Sequence, residues 1–278
     1  MRGLLILGAV LAMSSCIPYP GGLPEDFGKK TAVVAGTFPG LDAGAAELQS
    51  LHFYIRAYGI QNVQKIAEVA EAAYSRIMAD TGLYSFKPAG LYRIVVYADA
   101  AEYLRKTAQP AWSGGAAVGN AIYSFSGPQL ERVLIHEMTH LIFYEYMGHA
   151  GLDQRWINEG LAVYEEGKAV EAGSDGSVSA AMRPLIFAPM SLERMRVYDP
   201  AVDKDYVVSQ WYAQAGNMMR FMVETGGHIG FSQFLGALRQ GNSLDRAMAA
   251  GFPGTWGSLA EFEQAWRKTQ PEALPKPG

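Results

Sequence analysis

The chain has 278 residues, a net charge of −4 and charged side chains at 18% of its positions. It carries no basic run, so nucleic acid is not expected as a partner. The residues beyond the N-terminal segment, about 260, are enough for a sizeable core, built as one large domain or as two subdomains.

The N-terminus predicts export. One arginine precedes the apolar run 4–12, and small residues then lead to Cys16. The run is too short to cross a bilayer and is typical of a signal peptide, here residues 1–15. Its ending, residues 13–16, resembles a bacterial lipobox, which implies that Cys16 is lipidated. An ordinary secretory signal cleaved nearby is the alternative.

The predicted location is the bacterial cell envelope. Ile17 after the lipobox favours the outer membrane by resemblance to bacterial lipoproteins, so we expect a lipid anchor there and a chain facing the periplasm. Cys16 is the only cysteine, which excludes an internal disulfide. Residues 16–45 are rich in Gly and Pro and are predicted to be a tether. The folded domain is then predicted at 46–270, followed by a flexible C-terminus at 271–278.

Strands are predicted before residue 125 and helices dominate after it. Hydrophobic periodicity, β-branched runs and cap residues predict the elements. The predicted strands are 31–35, 51–57, 91–97 (a central strand) and 118–124. The predicted helices are 62–80, 99–107 with Asp99 as N-cap, 128–146, 156–169, 191–196, 207–225, 229–239, 243–249 and 258–268. This order is typical of an α+β fold, a small sheet with helices followed by a helical subdomain.

The predicted helix 128–146 carries a metal-binding pattern, His136-Glu137-Met138-Thr139-His140. Residues four apart share a helix face, so both imidazoles can bind one metal ion while Glu137 holds a water. Glu159, after 18 intervening residues, can complete two histidines and one carboxylate and leave a fourth zinc position open. Asp153 is an alternative third ligand, and hydrogen-bonded core histidines are the alternative to a metal site.

These residues resemble the gluzincin metallopeptidases. The motif, its spacing and the segment 156–162 are similar to the zinc aminopeptidases and thermolysin-like enzymes, and the wider order over about 50–268 is similar to the bacterial peptidase MA-like proteins. The resemblance implies a thermolysin-like catalytic domain with one zinc ion per chain. It implies that His136, His140 and Glu159 are the ligands and that Glu137 is the general base. Tyr212 is the best match for the group that stabilises the oxyanion, with Tyr206 and His228 as weaker candidates.

The chain also departs from these families. The segment that binds a free amino terminus in zinc aminopeptidases is absent, and the Gly-rich residues 114–120 stand before the metal helix instead. The third histidine of the metzincins would fall at Tyr146. Thermolysin-like enzymes often carry an acid four residues after the ligand glutamate, and here that residue is Val163. Glu166 returns to the same helix face and could serve, but the pair 165–166 is interpreted as a solvated helix face.

The sequence therefore predicts a zinc-dependent peptidase that acts on a peptide or protein substrate. An inactive binding or scaffold lipoprotein on a peptidase fold is the alternative, and a metal-dependent hydrolase of another bond is a third. If the strand 118–124 lies at a sheet edge, its free backbone groups can pair with an extended peptide.

Overall fold

In the part of the chain that the structure describes, a five-stranded sheet with two helices comes first and further helices follow. The computed structural model describes residues 37–111, 113–148, 152–172, 188–198 and 205–270. The predicted α+β class is confirmed. The signal, Cys16, the strand at 31–35 and the C-terminus 271–278 lie outside the described residues. Within the described part of the chain, no helix is long and apolar enough to cross a membrane.

The sheet has three parallel inner strands and an antiparallel strand at each edge, in the order β1-β2-β3-β5-β4. The strands are β1 (Ala45–Gln49), β2 (Phe53–Tyr58), β3 (Tyr92–Tyr97), β4 (Gly115–Val118) and β5 (Ala121–Phe125). β3 is central, as its run of β-branched and aromatic residues predicts. Its side chains are buried at every position except Arg93.

Eight α-helices are described, and most agree with the periodicity of the sequence to within a few residues. They are α1 (Ile60–Thr81), α2 (Ala100–Thr107), α3 (Leu130–Met147), α4 (Arg155–Ala172), α5 (Leu192–Val197), α6 (Asp205–Arg239), α7 (Leu244–Gly251) and α8 (Leu259–Arg267). Asp99 caps α2 as predicted, because its side chain accepts a hydrogen bond from the Glu102 N–H. The two helices predicted at 207–225 and 229–239 are the two parts of α6, which is kinked at Gly227.

The predicted strand 118–124 is wrong in its extent. It is a hairpin of β4 and β5, with the turn at Gly119-Asn120 and a φ of 62° at Gly119. A left-handed residue of this kind allows a two-residue turn between antiparallel strands. β5 is consequently an inner strand paired on both sides, and β4 is the edge strand.

The end of the predicted tether packs against the sheet. The Phe38 ring lies edge-on to Tyr123 of β5, at 5.1 Å between centroids. The Tyr97 hydroxyl donates to the Pro39 carbonyl, and the Lys106 ammonium donates to the Gly40 carbonyl at 2.9 Å. The folded part therefore begins before residue 46. This segment and α2 cover one face of the sheet, and α1 and α3 cover the other.

Helix α3 lies in the middle of the fold. It contacts α1, β4, β5, α4 and α6. Residues 133–143 are buried without interruption, which confirms the predicted burial on most sides. The histidines of α3 are therefore held between the sheet and the helical part.

Candidate metal centre

Helix α3 directs His136 and His140 at each other. Both side chains are buried and their rings meet edge to face, with 4.8 Å between centroids. The two Nε2 atoms are 3.2 Å apart. Nitrogen atoms this close in a buried place need a proton or a cation between them, because two lone pairs would otherwise face each other without a partner.

Glu159 on α4 completes a group of three donors. Its Oε2 atom lies 3.4 Å from the Nε2 of His140 and 3.9 Å from the Nε2 of His136. This oxygen is buried and has no hydrogen-bond donor among the residues that the structure describes. In the part of the chain that the structure describes, no other histidine, cysteine or acidic residues form such a group of three.

The spacing of the three donors fits a zinc ion. In a tetrahedral site with bonds of about 2.0–2.1 Å, neighbouring donors lie roughly 3.4 Å apart. The distances among these donors are 3.2, 3.4 and 3.9 Å. Two imidazole nitrogens and one carboxylate are also the donor types that catalytic zinc sites use with a fourth position left open. The buried Glu159 oxygen would gain a partner in such a site.

The second nitrogen of each histidine is hydrogen-bonded. The Nδ1 of His140 lies 3.0 Å from the Oδ1 of Asn158, and the Nδ1 of His136 lies 3.2 Å from the Oε2 of Glu166. With Nδ1 as the donor in both rings, each Nε2 keeps its lone pair for a metal ion. Partners of this kind fix the tautomer and the orientation of ligand histidines.

The interpretation of residues 165–166 as a solvated helix face is wrong. Both glutamates are buried, because α3 and α6 pack against α4 and side chains of α1 bond to it. Glu166 faces α3, where the Arg132 Nη2 donates to its Oε1 at 2.6 Å. Glu165 faces α1, where the Arg76 Nε donates to its Oε2 at 3.2 Å. Burial alone would raise the pKa of Glu166, but His136 and Arg132 together hold that pKa below its usual value.

The carboxylates favour a positive charge at the donor group. Burial lowers the pKa of His140, but Glu159 and Glu137 outweigh it and raise the pKa to about 9. Glu137 is buried beside the histidines, within range of this interaction. A site that favours a proton so strongly also favours a metal cation, and the two compete for the same nitrogen.

A close helix contact fixes the position of the turn that carries Glu159. Gly160 lies so near α6 that an added Cβ would be 2.5 Å from the carbonyl oxygen of Ala215. No side chain fits at that distance, so the glycine allows the backbones of α4 and α6 to approach. The ligand residue is therefore next to a close contact between the backbones of these helices.

A comparison with protein families identifies the fold family of the chain. The model described as Peptidase MA superfamily matches residues 69–269, a stretch that contains both α3 and α4. The chain belongs to the Peptidase MA superfamily. The predicted resemblance to peptidases of this type is confirmed. A comparison with curated proteins finds no match.

Solved structures with a similar course of the chain include an M1 zinc metallopeptidase and an LTA4 hydrolase. The M1 zinc metallopeptidase from Deinococcus radiodurans is 21% identical, with a TM-score of 0.48, over 83% of this chain and 52% of that one. Native yeast LTA4 hydrolase is 16% identical, with a TM-score of 0.47, over 84% of this chain and 40% of that one. The present chain therefore spans about half of the Deinococcus radiodurans enzyme and 40% of the yeast enzyme.

The other predicted site residues lie apart from the three donors or outside the described side chains. Asp153 is in a 3-10 helix, half exposed, with its Oδ2 3.7 Å from the Nη2 of Arg196, and it is not part of the donor group. His228 directly follows the kink of α6, and its Nδ1 bonds to the Asp80 carbonyl. Tyr212 is buried on α6 with its ring edge-on to Trp211, and its role stays a prediction. The side chain of Tyr206 lies outside the described residues.

Two residues of the site were given no role by the sequence. Asn158 directly precedes a ligand, and its signal was its place in the Asn-Glu pair. Arg132 stands one turn before His136 on α3, a spacing that puts both on one face. Its partner Glu166 is on another helix, so the pattern of α3 alone does not reveal the contact.

Proposed function

We propose that this member of the Peptidase MA superfamily is a zinc-dependent peptidase. The observation that carries the proposal is the buried group of His136, His140 and Glu159, in which no described residue donates a hydrogen bond to the Glu159 Oε2. A zinc ion bound there would polarise a substrate carbonyl and lower the pKa of a bound water to about 7.

The protein's own groups then move the protons. Glu137 accepts the proton of the attacking water and later delivers it to the leaving amine. Its position beside His136, within the buried stretch 133–143 of α3, supports this role. Tyr212 donates a hydrogen bond to the oxyanion of the tetrahedral intermediate.

The edge strand β4 is proposed to align the substrate. Among the described strands β4 pairs with β5 alone, so its other side offers backbone N–H and C=O groups. It packs directly on α3, the helix of the two ligand histidines. An extended peptide added to this edge would run beside the metal helix and bring one of its carbonyl groups to the site.

The decisive experiment combines metal content with cleavage of a peptide library. We expect the purified domain to carry about one zinc ion per chain and to cleave peptides in a chelator-sensitive way. Glu137→Gln should retain the zinc and lose cleavage. Glu131→Gln is the matched control, because it removes the charge of an exposed glutamate on the same helix.

The outcomes separate the candidate functions. A domain that cannot be loaded with zinc would exclude the metal site. A zinc-loaded domain without chelator-sensitive cleavage of any peptide would favour the scaffold function. Full activity of the Glu137→Gln variant would exclude this residue as the base.

We also propose that Cys16 anchors the protein to the bacterial envelope. The support is the lipobox-like ending of the signal and the position of the only cysteine. Expression in a bacterial host with a labelled fatty acid should label the full-length protein and not a Cys16→Ala variant. Equal distribution of both variants to the soluble periplasmic fraction would contradict the anchor.

A further inference from the structure

Glu166 is held from two sides, and both contacts lead to α3. The Arg132 Nη2 donates to one carboxylate oxygen at 2.6 Å, and the His136 Nδ1 lies 3.2 Å from the other. Arg132 and His136 are one turn apart on the same helix. The chain of contacts therefore leaves α3 at Arg132, passes through Glu166 on α4 and returns to α3 at the ligand histidine.

This arrangement determines how freely the Glu166 carboxylate can turn. A glutamate has three side-chain torsions, and its carboxylate can rotate away from an imidazole unless another group holds it. The short, charge-assisted bond from Arg132 fixes one oxygen and so directs the other at His136. It also gives a buried carboxylate the cationic partner that such a group requires.

We propose that Arg132 is a positioning residue for the metal centre. By fixing Glu166 it holds the His136 ring in the orientation that turns its Nε2 toward His140 and Glu159. The inference rests on the proposed zinc site and adds a residue to it. Arg132 itself touches neither the metal position nor a substrate in this role.

The same helix offers a matched control. The Arg76 Nε donates to the Oε2 of Glu165 at 3.2 Å, and Arg76 and Arg132 both have 27% of the side chain exposed. Each arginine thus pairs with a buried glutamate of α4. The pair of Arg76 and Glu165 joins α4 to α1, away from the ligand histidines, whereas the pair of Arg132 and Glu166 leads to His136.

The test measures zinc affinity by competition with a chromophoric chelator. Partners of ligand histidines change metal affinity about 10–100-fold, and Arg132 acts one bond further away, so we expect Arg132→Gln to weaken zinc binding about tenfold. Arg132→Lys should restore most of the affinity, because the contact uses a single nitrogen. Arg76→Gln should lower the melting temperature and leave zinc affinity within about twofold.

Two further measurements show that the effect passes through Glu166. In a Glu166→Gln background, Arg132→Gln should have no additional effect on zinc affinity, because residues that act through one another are not additive. The visible absorption of the cobalt-substituted protein should change for Arg132→Gln and not for Arg76→Gln, since this spectrum reports the geometry of the ligands.

The results that overturn the inference are distinct from failure of the zinc site itself. Wild-type protein that binds no zinc would overturn the proposed function. A different result would overturn only the role of Arg132. In it, the wild type binds zinc, and Arg132→Gln has the same zinc affinity and the same cobalt spectrum as the wild type. Full additivity with Glu166→Gln would do the same. If Arg132→Gln does not fold, Arg132→Met is compared with Arg76→Met, and a wild-type zinc affinity for Arg132→Met would overturn the role of Arg132.

Discussion

Substitution of Gly160 by alanine tests whether the approach of α4 to α6 sets the position of Glu159. The added Cβ would lie 2.5 Å from the Ala215 oxygen and 2.7 Å from its carbonyl carbon. Ordinary contact begins near 3.4 Å. Both atoms belong to a helix backbone that cannot rotate away, so the helices must separate by about 0.9 Å or the core must repack.

The energetic balance follows from two opposing effects. Alanine is better than glycine inside a helix by about 1 kcal/mol. Overpacking of a tight core contact costs about 1–3 kcal/mol. We expect Gly160→Ala to lose up to about 2 kcal/mol of stability, the difference between these effects, which corresponds to a melting temperature up to roughly 8 °C lower for a domain of this size. Zinc affinity should fall at least about tenfold, because metal sites tolerate ligand shifts of only about 0.2 Å.

Gly167→Ala on the same helix is the control, with the opposite sign expected. Its added Cβ meets nothing nearer than the Nη2 of Arg220, at 4.0 Å. The helix propensity of alanine should therefore raise the melting temperature by about 2–4 °C and leave zinc affinity unchanged. Circular-dichroism melts and chelator competition measure both quantities. A Gly160→Ala protein as stable as Gly167→Ala, with wild-type zinc affinity, would refute the packing argument.

Four further predictions concern single groups. Burial, reinforced by Asp80, raises the pKa of Glu165 to about 7. The raised pKa stabilises the wild type fully below about pH 4.5, and this stabilisation is lost as the pH rises through 7. The free energy of unfolding of Glu165→Gln, measured by urea titration relative to the wild type, should therefore increase across this range by on the order of 2 kcal/mol. Because the pKa of His140 is about 9, zinc binding at pH 7 should release about one proton per ion, measured calorimetrically in buffers of different ionisation enthalpy; no buffer dependence would contradict this. Tyr212→Phe should lower kcat and leave zinc content unchanged, whereas an unchanged rate would assign the residue to the core. Ala116 and Ala117 are neighbours on β4, so the N–H of only one of them points away from β5. Substitution of that residue by proline should raise KM with little loss of stability, and a wild-type KM for both Ala116→Pro and Ala117→Pro would exclude substrate pairing at this edge.

The sequence predicts the parts of the fold that have strong local patterns. α1, α3 and the central strand β3 are long apolar-periodic or β-branched runs, and their structure follows from those runs. β1 has the sequence Ala-Ala-Glu-Leu-Gln, whose strand propensity is weak. It is a strand because it pairs with β2, where the Arg56 Nε lies 2.9 Å from the Oε1 of Glu47. The pattern of a short segment does not contain such a partner.

The hairpin of β4 and β5 carried a signal that the sequence interpretation passed over. Gly119-Asn120 is a dipeptide typical of two-residue turns, and it divides an otherwise continuous apolar run. A run of this length can equally form one strand. Only the antiparallel pairing of Gly115–Val118 with β5 shows that it forms a hairpin instead.

The donor group was predictable and its surroundings were only partly so. The spacing of His136 and His140 is a property of one helix, and the Asn-Glu pair follows soon after it. The adjacent charges at 165 and 166 look solvated in isolation, because helical periodicity shows which residues share a face and not what covers that face. The packing of α4 against α1 and α3 decides the matter, and it depends on the whole chain.

The locality of the metal centre has a consequence for folding. The three donors and the side chains that bond to their histidines lie between residues 136 and 166, on α3 and α4. Assembly of the site requires the closure of one short loop, whereas the sheet requires pairing between distant segments. A helical hairpin detached from the sheet would still present all three donors, so a partly unfolded chain should retain affinity for zinc. Zinc should therefore slow hydrogen exchange in α3 and α4 more than in the strands. Because zinc also binds the partly unfolded chain, it should stabilise the whole domain by less than its affinity for the native state would predict.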